Sequence, residues 1–437
     1  AQMIVIYYLL AVSVSTLLLR LPIALQPGVE LSFIDSLFTA ASAVSVTGLS
    51  TVNIAETFTT EGNFILMLVL QFGGIGVMTL GTFFWLILKK KIGLKERRLI
   101  MTDQNLYSLS GLVDLLRQVL YLILIIEAIG ALVLGVYLLQ YFDSAKKAFL
   151  QGLFMSVSAT TNAGFDITGQ SLQPFANDYF IQFVNISLII LGAIGFPVLI
   201  EVKRFLMSKP GRGRFKFSLF SKVTSITFFS LIIFCTFSIW LLEYNGFLAG
   251  KSWHQSLFFS LFQSVSTRSA GLYTMDISLF SEPTLLIMSI MMFIGASPTS
   301  VGGGIRTTTF ALNLLFIYHY AKGNRRITVF KRELSDEDIR KSLVVTIGAI
   351  FLLCGSIITL MVTESFSLIE IIFEVCSAFG TAGLSMGITS ELSTFGKMLI
   401  ILLMFIGRVG IISFIFMIGG KETKTNYRYP EERIIIG

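Results

Sequence analysis

One eight-residue pattern occurs four times in this chain, and that recurrence limits the possible fold more than any other feature. The copies are SAVSVTGL (42–49), SATTNAGF (158–165), VSTRSAGL (265–272) and SAFGTAGL (377–384). Aligned on Gly48, Gly164, Gly271 and Gly383 they need no gap, and the glycines stand 116, 107 and 112 residues apart. A period of this kind marks four diverged copies of one structural unit.

What precedes each glycine recurs as well. Ile34, Leu150, Leu257 and Ile369 lie fourteen residues upstream, and Phe38, Phe154, Leu261 and Phe373 ten upstream. An offset of four is one face of a helix. Each unit therefore predicts a short helix running into Ser/Thr-rich, glycine-containing backbone. Ten to fourteen apolar residues cannot cross a bilayer, but they suit a re-entrant segment. Non-helical backbone survives at membrane depth only where it is buried in protein or lines a wet path.

The membrane premise has independent support, since 54% of residues are hydrophobic, 14% are charged and the mean hydropathy is +0.80. A soluble globular domain carries more charge and less apolar surface. The first apolar run, Ile4 to Leu25, is long enough to span and shows no small-residue cleavage site, so it is expected to remain as a span. Three cysteines, Cys235, Cys354 and Cys376, make no even-numbered disulfide framework, and two histidines leave little for hydrolytic or zinc chemistry.

The expected architecture is all-α and integral to the membrane: four same-sense repeats of helix, pore loop and helix, with eight transmembrane helices around a central pore. The repeats are 1–98, 99–214, 215–335 with a broken second helix, and 336–437 including a C-terminal tail. First spans are placed at 4–25, 115–139, 222–242 and 342–362. Short helices are placed at 33–44, 146–157, 252–265 and 368–378, and second spans at 64–88, 179–203, 283–319 and 397–418. A basic block follows each second span, at 89–98, 203–222, 322–341 and 421–433, together holding 24 of the 33 Lys and Arg residues. By the positive-inside rule these blocks and the C-terminus are cytoplasmic, and the hairpins enter from outside. The outer segments carry acids such as Asp35, Asp166, Asp276 and Glu391, and an acidic mouth concentrates cations.

Four unequal copies of this unit, each keeping one filter glycine, resemble the Trk/Ktr/HKT superfamily of potassium transporters. GASPTSVGGGIRTTTF (295–310) is similar to the intramembrane loop of its bacterial members, and Arg408 in FIGRVG resembles the basic residue held against that loop. With one span ahead of its first hairpin, the chain looks more like the Ktr membrane subunit than the longer Trk one. The resemblance covers essentially the whole chain. It implies potassium uptake across a bacterial plasma membrane, with sodium as a further cation, and a homodimer of four-repeat pores. It also implies a cytoplasmic ring of RCK subunits that bind ATP or ADP, so that any nucleotide acts only through the partner. No nucleic acid is implied, and no enzymatic activity.

The filter can be argued from the residues alone. A dehydrated potassium ion needs carbonyl oxygens in place of water, and a strand can aim successive carbonyls at one axis only where some residue takes a dihedral that side chains resist. Glycine supplies it. The expected filter is Val46, Thr47 and Gly48; Asn162, Ala163 and Gly164; Ser269, Ala270 and Gly271; Thr381, Ala382 and Gly383. Because the flanking residues differ among copies, the ring is asymmetric and weaker discrimination against sodium is expected.

Below the filter each second span carries helix-loosening residues at similar offsets: Gly73, Gly74 and Gly76; Gly192, Gly195 and Pro197; Gly295; Gly407 and Gly410. All four are expected to bend or pack closely there, and in the third the bend is expected to become a full break. The break at 296–307, with Ser297, Pro298, Thr299, Gly302, Gly303, Gly304 and Arg306, has too few apolar residues to face lipid. It is expected to lie across the pore as a gate, the alternative being an irregular surface turn. GGGIRT lacks the spacing of a phosphate cradle. Arg408, a cation at membrane depth, is expected to raise a barrier to potassium and bond loop carbonyls, or else to satisfy helix-packing carbonyls.

Arg268 is expected to buttress the third filter strand from behind. Glu127 reads either as a coupling-cation ligand or as a packed carboxyl with a polar partner, and Glu370 and Glu374 either as negative potential near the filter or as groups that hydrogen-bond neighbouring helices. The anionic heads of membrane lipids suit the basic segments. The mixed-charge stretch KRELSDEDIR (331–340) suits a soluble partner, and the tail YPEERIIIG (429–437) suits burial against a second protomer. An alternating-access, sodium-coupled cation carrier is the competing function, and it would show inverted repeats.

Overall fold

The computed structural model describes residues 2–76, 112–208, 215–324 and 326–419. These are helical almost throughout; among them the strands are a two-residue antiparallel pair, Thr328–Val329 with Arg332–Glu333. The helices in chain order are α1 (Gln2–Leu19), α2 (Phe33–Ser45), the single turn α3 (Ile54–Thr57), α4 (Thr60–Ile75), α5 (Leu112–Tyr137), α6 (Ala145–Thr160), α7 (Tyr179–Ala193) and α8 (Phe196–Leu206). They continue with α9 (Leu219–Leu242), α10 (Trp253–Ser266), α11 (Glu282–Ile294), α12 (Thr307–Ala321), α13 (Asp336–Thr363), α14 (Leu368–Gly380), α15 (Thr394–Val409) and α16 (Ile411–Gly419).

Among the described residues three stretches are long and apolar enough to cross a membrane by themselves: Asp114–Gln140, Leu219–Leu242 and Asp336–Thr363. Their flanks expose large apolar side chains such as Leu132, Ile233 and Phe351, a surface suited to lipid.

The four short helices, α2, α6, α10 and α14, run 13 to 16 residues. Each is preceded by a serine: Ser32, Ser144, Ser252 and Ser367. In α2, α10 and α14 the serine hydroxyl accepts the amide of the third helical residue. Gln255 and Glu370 bond back to complete capping boxes. Glu370 therefore caps its own helix, a role that neither of its two expected readings named. Along these helices Phe38, Phe154 and Phe373 are fully buried, whereas Ile34, Leu150, Leu257, Ile369 and Leu261 are half-buried.

Each short helix packs against the apolar helix that precedes it, α1, α5, α9 or α13. It also packs against the helix following the short helix of the unit before: α6 on α4, α10 on α7, α14 on α11, and α2 on α15. The last contact joins the ends of the chain, so the order is cyclic. Lys397 Nζ at 2.9 Å from Asp35 Oδ1 reinforces that seam with a mostly buried ion pair.

Two expectations need correction. The first helix stops at Leu19, not Leu25, because residues 20–25 contain Pro22 and turn to meet the chain before α4. There Leu25 bridges Phe58, and the Thr59 hydroxyl donates to the Ile23 carbonyl at 2.6 Å. The second correction concerns the break. It is not confined to residues 295–306: α7 and α8 meet at 106°, and α15 gives way to α16 at Gly410. Gly76, Gly195, Gly295 and Gly410, at φ of 95°, 102°, 70° and 93°, end α4, precede α8, end α11 and end α15. The left-handed region that interrupts a helix is open to glycine at no steric cost, so a glycine at each of these four points lets the helix stop there. The rest of the span expected at 64–88, the basic block at 89–98, residues 209–214, Arg325 and the tail from residue 420 lie outside the described residues.

Candidate functional site

The four glycines meet. A methyl group placed on Gly48 would stand 2.5 Å from the Ala163 carbonyl oxygen; one on Gly164, 2.9 Å from that of Ala270; one on Gly271, 2.9 Å from that of Ala382. On Gly383 it would run into the carbonyl of Thr47. The sequence 48 to 163, 164 to 270, 271 to 382 and 383 to 47 is a closed ring, each glycine lying against the carbonyl just before the next. Gly48, Gly164, Gly271 and Gly383 form the floor of a cavity of about 340 Å³, whose walls include Asp166, Tyr273, Ser385 and Thr389.

The local backbone explains how carbonyls come to the axis. All four glycines have positive φ, 96°, 71°, 67° and 82°, and so do the residues two positions earlier: Val46 (58°), Asn162 (53°), Ser269 (125°) and Thr381 (47°). For a β-branched Val or Thr this is a strained conformation that survives only where the surroundings impose it. In three copies the imposing feature is a helix C-terminal motif of the Schellman kind. The amides of Val46 and Thr47 bond back to Ala43 and Ser42, those of Asn162 and Ala163 to Ala159 and Ser158, and those of Thr381 and Ala382 to Ala378 and Ser377. In the third copy Ser269 and Ala270 both bond to Ser266. With the amides turned back, the carbonyls of Thr47, Ala163, Ala270 and Ala382 are left toward the ring. Sequence reasoning assigned the special dihedral to glycine alone; the preceding serines, Ser42, Ser158 and Ser266, were the overlooked signal. Their hydroxyls pin the strand through Gly48 N, the Phe165 carbonyl and the Leu272 carbonyl.

Ser269 Oγ donates to the Thr381 carbonyl at 2.8 Å, tying the third strand to the fourth. Arg268 is fully buried behind them and donates to the carbonyls of Gly295 and Met291, at the end of α11. Glu374, also buried, accepts from Ser385 Oγ at 2.7 Å and Thr389 Oγ1 at 2.5 Å, which fastens the chain leaving the fourth strand.

Directly against this ring lies the segment 295–306. A methyl on Gly302 would strike Ser269 Oγ, and one on Gly303 would come 2.6 Å from Thr381 Oγ1 and 3.0 Å from the Gly407 carbonyl. Ser297, Val301 and Gly302 to Gly304 are buried, with Pro298, Thr299 and Arg306 half-buried, so the surface-turn alternative falls. Ser297 N donates to the Ala193 carbonyl and Phe196 N to that of Thr299, stitching the segment to the break between α7 and α8. Arg306 donates to the carbonyls of Gly302 and Ser297. Arg408, from the end of α15, donates to the Val301 carbonyl on one side and the Gly73 carbonyl on the other, with Gly74 at 3.4 Å. One guanidinium thus clamps the segment to the last turn of α4.

Asp166, on the cavity wall, accepts from Thr168 N and Oγ1, Gly169 N and Ser171 N. Burial pushes its carboxyl above the ordinary carboxylate range, opposed by those four bonds to the charged form. The stretch 331–340 is largely exposed, with Ile339 buried, and is paired with its flanks, Arg326 with Glu333 at 3.6 Å and Lys341 with Glu337 at 2.5 Å.

Comparison with known proteins adds a second line. A family model described as TrkH, cation transport protein, matches residues 1–421. The chain is 60% identical over 437 residues to "Ktr system potassium uptake protein D" of Bacillus subtilis, covering 100% of this chain and 97% of that one. It is 37% identical over 429 residues to "Potassium/sodium uptake protein NtpJ" of Enterococcus hirae, covering 96% and 93%. Its fold is similar to the crystal structure of the potassium transporter TrkH from Vibrio parahaemolyticus, with a TM-score of 0.75 at 16% identity over 94% of this chain and 83% of that one.

Proposed function

This chain belongs to the TrkH family of cation transport proteins, and on that premise we propose that it is a gated potassium permeation subunit. It is a membrane transporter of the Ktr/Trk kind and not an enzyme, and potassium is its transported ion, as in the uptake proteins it is similar to. The finer reading is a single pore formed by four same-sense repeats, 1–98, 99–214, 215–335 and 336–437, whose eight spans surround the glycine ring. Val46 to Gly48, Asn162 to Gly164, Ser269 to Gly271 and Thr381 to Gly383 form the selectivity filter. The observation that carries it is the closed order in which each glycine abuts the carbonyl preceding the next. A ring of carbonyls replaces an ion's water shell, and dissimilar copies make fewer equivalent sites than four identical strands would.

The segment 296–307, with Ser297, Pro298, Thr299, Gly302, Gly303, Gly304 and Arg306, is the gate, held by Arg408 beneath the filter. The cavity bearing Asp166 is the outer mouth, and the basic blocks face the cytoplasm of a bacterial cell. A homodimer and a cytoplasmic RCK ring that binds ATP or ADP, docking on the exposed stretch 331–340, complete the assembly; both follow from the Ktr-type resemblance. The test is rubidium uptake into proteoliposomes, with potassium and sodium as competitors. Uptake that potassium competes and that Gly→Ser at any of Gly48, Gly164, Gly271 or Gly383 abolishes is the expected result. Uptake that strictly requires a sodium gradient would instead support the sodium-coupled carrier.

A further inference from the structure

A buried acid–amide contact between α5 and α4 stands outside the ring and its gate. Glu127, 4% exposed in the middle of α5, accepts from Gln71 Nε2 of α4 at 2.5 Å through Oε2. The second oxygens of both groups, Glu127 Oε1 and Gln71 Oε1, are buried and meet no hydrogen-bond partner among the described residues. Two orphaned acceptors on a single contact are costly, and two acceptors cannot satisfy one another. An ionised carboxylate with one hydrogen bond at this depth is costlier still. A hard cation is no remedy, since such ions gather about six oxygens, and no cluster of three or more acids, histidines or cysteines occurs among the described residues.

We propose that this contact, taken with the uptake reading above, is a proton-binding site that regulates the gate: a proton on Glu127 Oε1 donates to Gln71 Oε1. The carboxylic acid and the amide then form a reciprocal pair, in which each gives one hydrogen and accepts one, and no orphan remains.

The charges on the elements packed around the site lie at a distance. Arg117 on α5 and Glu61 on α4 are each ten residues from the pair, about 15 Å along a helix. Lys146 and Lys147 of α6 are at least nine residues from Ser156, whose hydroxyl donates to the Glu127 carbonyl at 2.8 Å. Glu201, Lys203 and Arg204 of α8 lie beyond Phe196 and Ile200, which pack with Ile123 one turn from Glu127. On the far side of α4, Arg408 bonds the carbonyls of Gly73 and Gly74.

The consequence follows from which side can yield. Gly135 and Gly152 bring α5 against α6 so closely that a methyl on Gly152 would lie 2.5 Å from the Gly135 amide. With α5 held by α6, the change passes to α4, where Gln71 is two residues from Gly73, whose carbonyl takes Arg408. Bound proton fastens the end of α4 and with it the clamp on the gate. Loss of the proton leaves a charge that draws in water and loosens both.

Infrared difference spectra of the full chain in liposomes, taken between neutral and alkaline pH, test the proton directly. The wild type is expected to lose a carboxylic-acid carbonyl band that Glu127→Gln, isosteric with the protonated form, lacks throughout. Absence of that band from the wild type at neutral pH, or its persistence in E127Q, overturns the proposal. Rubidium uptake tests the coupling: the wild type is expected to rise on alkalinisation, and E127Q to stay at the low-pH level. An E127Q profile that still follows the wild type overturns the regulatory role. Since the band is read without transport, a preparation without uptake would count against the permeation reading and not against the proton.

Discussion

Val46 and Thr381 show what the ring demands of single residues. Both are β-branched, both sit at positive φ, and both directly follow a short helix whose last carbonyls take their amides. The residue two positions before the glycine can therefore differ among the copies, because in three of them the helix end and not the residue enforces the turn. The glycine has no such freedom. Gly383→Ala would incur about 1 to 2 kcal/mol of left-handed strain and press a methyl group into the Thr47 carbonyl. Loss of rubidium uptake is expected, with the protein still inserted and monodisperse on size exclusion. Asp166 offers a titration at the same scale. Its carboxyl is raised above the usual range, so its charge on the cavity wall is lost as outside pH falls through that raised value. Uptake at low rubidium should decline on mild external acidification, and Asp166→Asn should begin at the lower level and show no such decline.

At the scale of elements, the interrupted helices matter more than the continuous ones. The amides freed by the breaks are spent on a neighbouring break: Phe196 N on Thr299, and Ser297 N on Ala193. The third break differs in length, and its extra residues reach across to Arg408 on α15. Arg408→Gln removes a charge beside the path and one of the ties on the segment. An uptake increase of about tenfold without any regulatory subunit is expected, equivalent to about 1.4 kcal/mol of barrier. Unchanged or lower uptake would count against a barrier. Gly195→Ala and Gly410→Ala should be costly for a different reason, since both occupy left-handed backbone. At Gly195 a methyl would also lie 2.8 Å from the Pro298 carbonyl, so G195A should disturb the segment more than G410A, as read by uptake in the two variants.

For the whole molecule the decisive contact joins its two ends. Lys397 and Asp35 are 362 residues apart and form an ion pair with side chains only 12% and 21% exposed. A double-mutant cycle of Lys397→Met and Asp35→Asn, read by thermal unfolding in detergent, should give a coupling of about 1 kcal/mol; a coupling of zero would make this seam mere proximity. Nothing in the sequence links those two residues, which belong to different copies of the repeat. What the sequence does determine is local and periodic: four short helices with their serines, four glycines in register, apolar runs around them and a glycine at every break. Those features follow from propensity, from hydrophobic period and from the dihedral that a side chain forbids, and each acts within a few residues. The sequence undervalued the breaks, because a glycine permits an interruption without compelling one; neighbouring carbonyls and amides had to be present to replace the lost helical bonds. Tertiary structure alone decided the partners: Arg408 between Val301 and Gly73, Gln71 against Glu127, each glycine against the next copy's carbonyl. Hydrogen bonds and close contacts between distant segments depend on where the chain has been carried, which no local preference encodes.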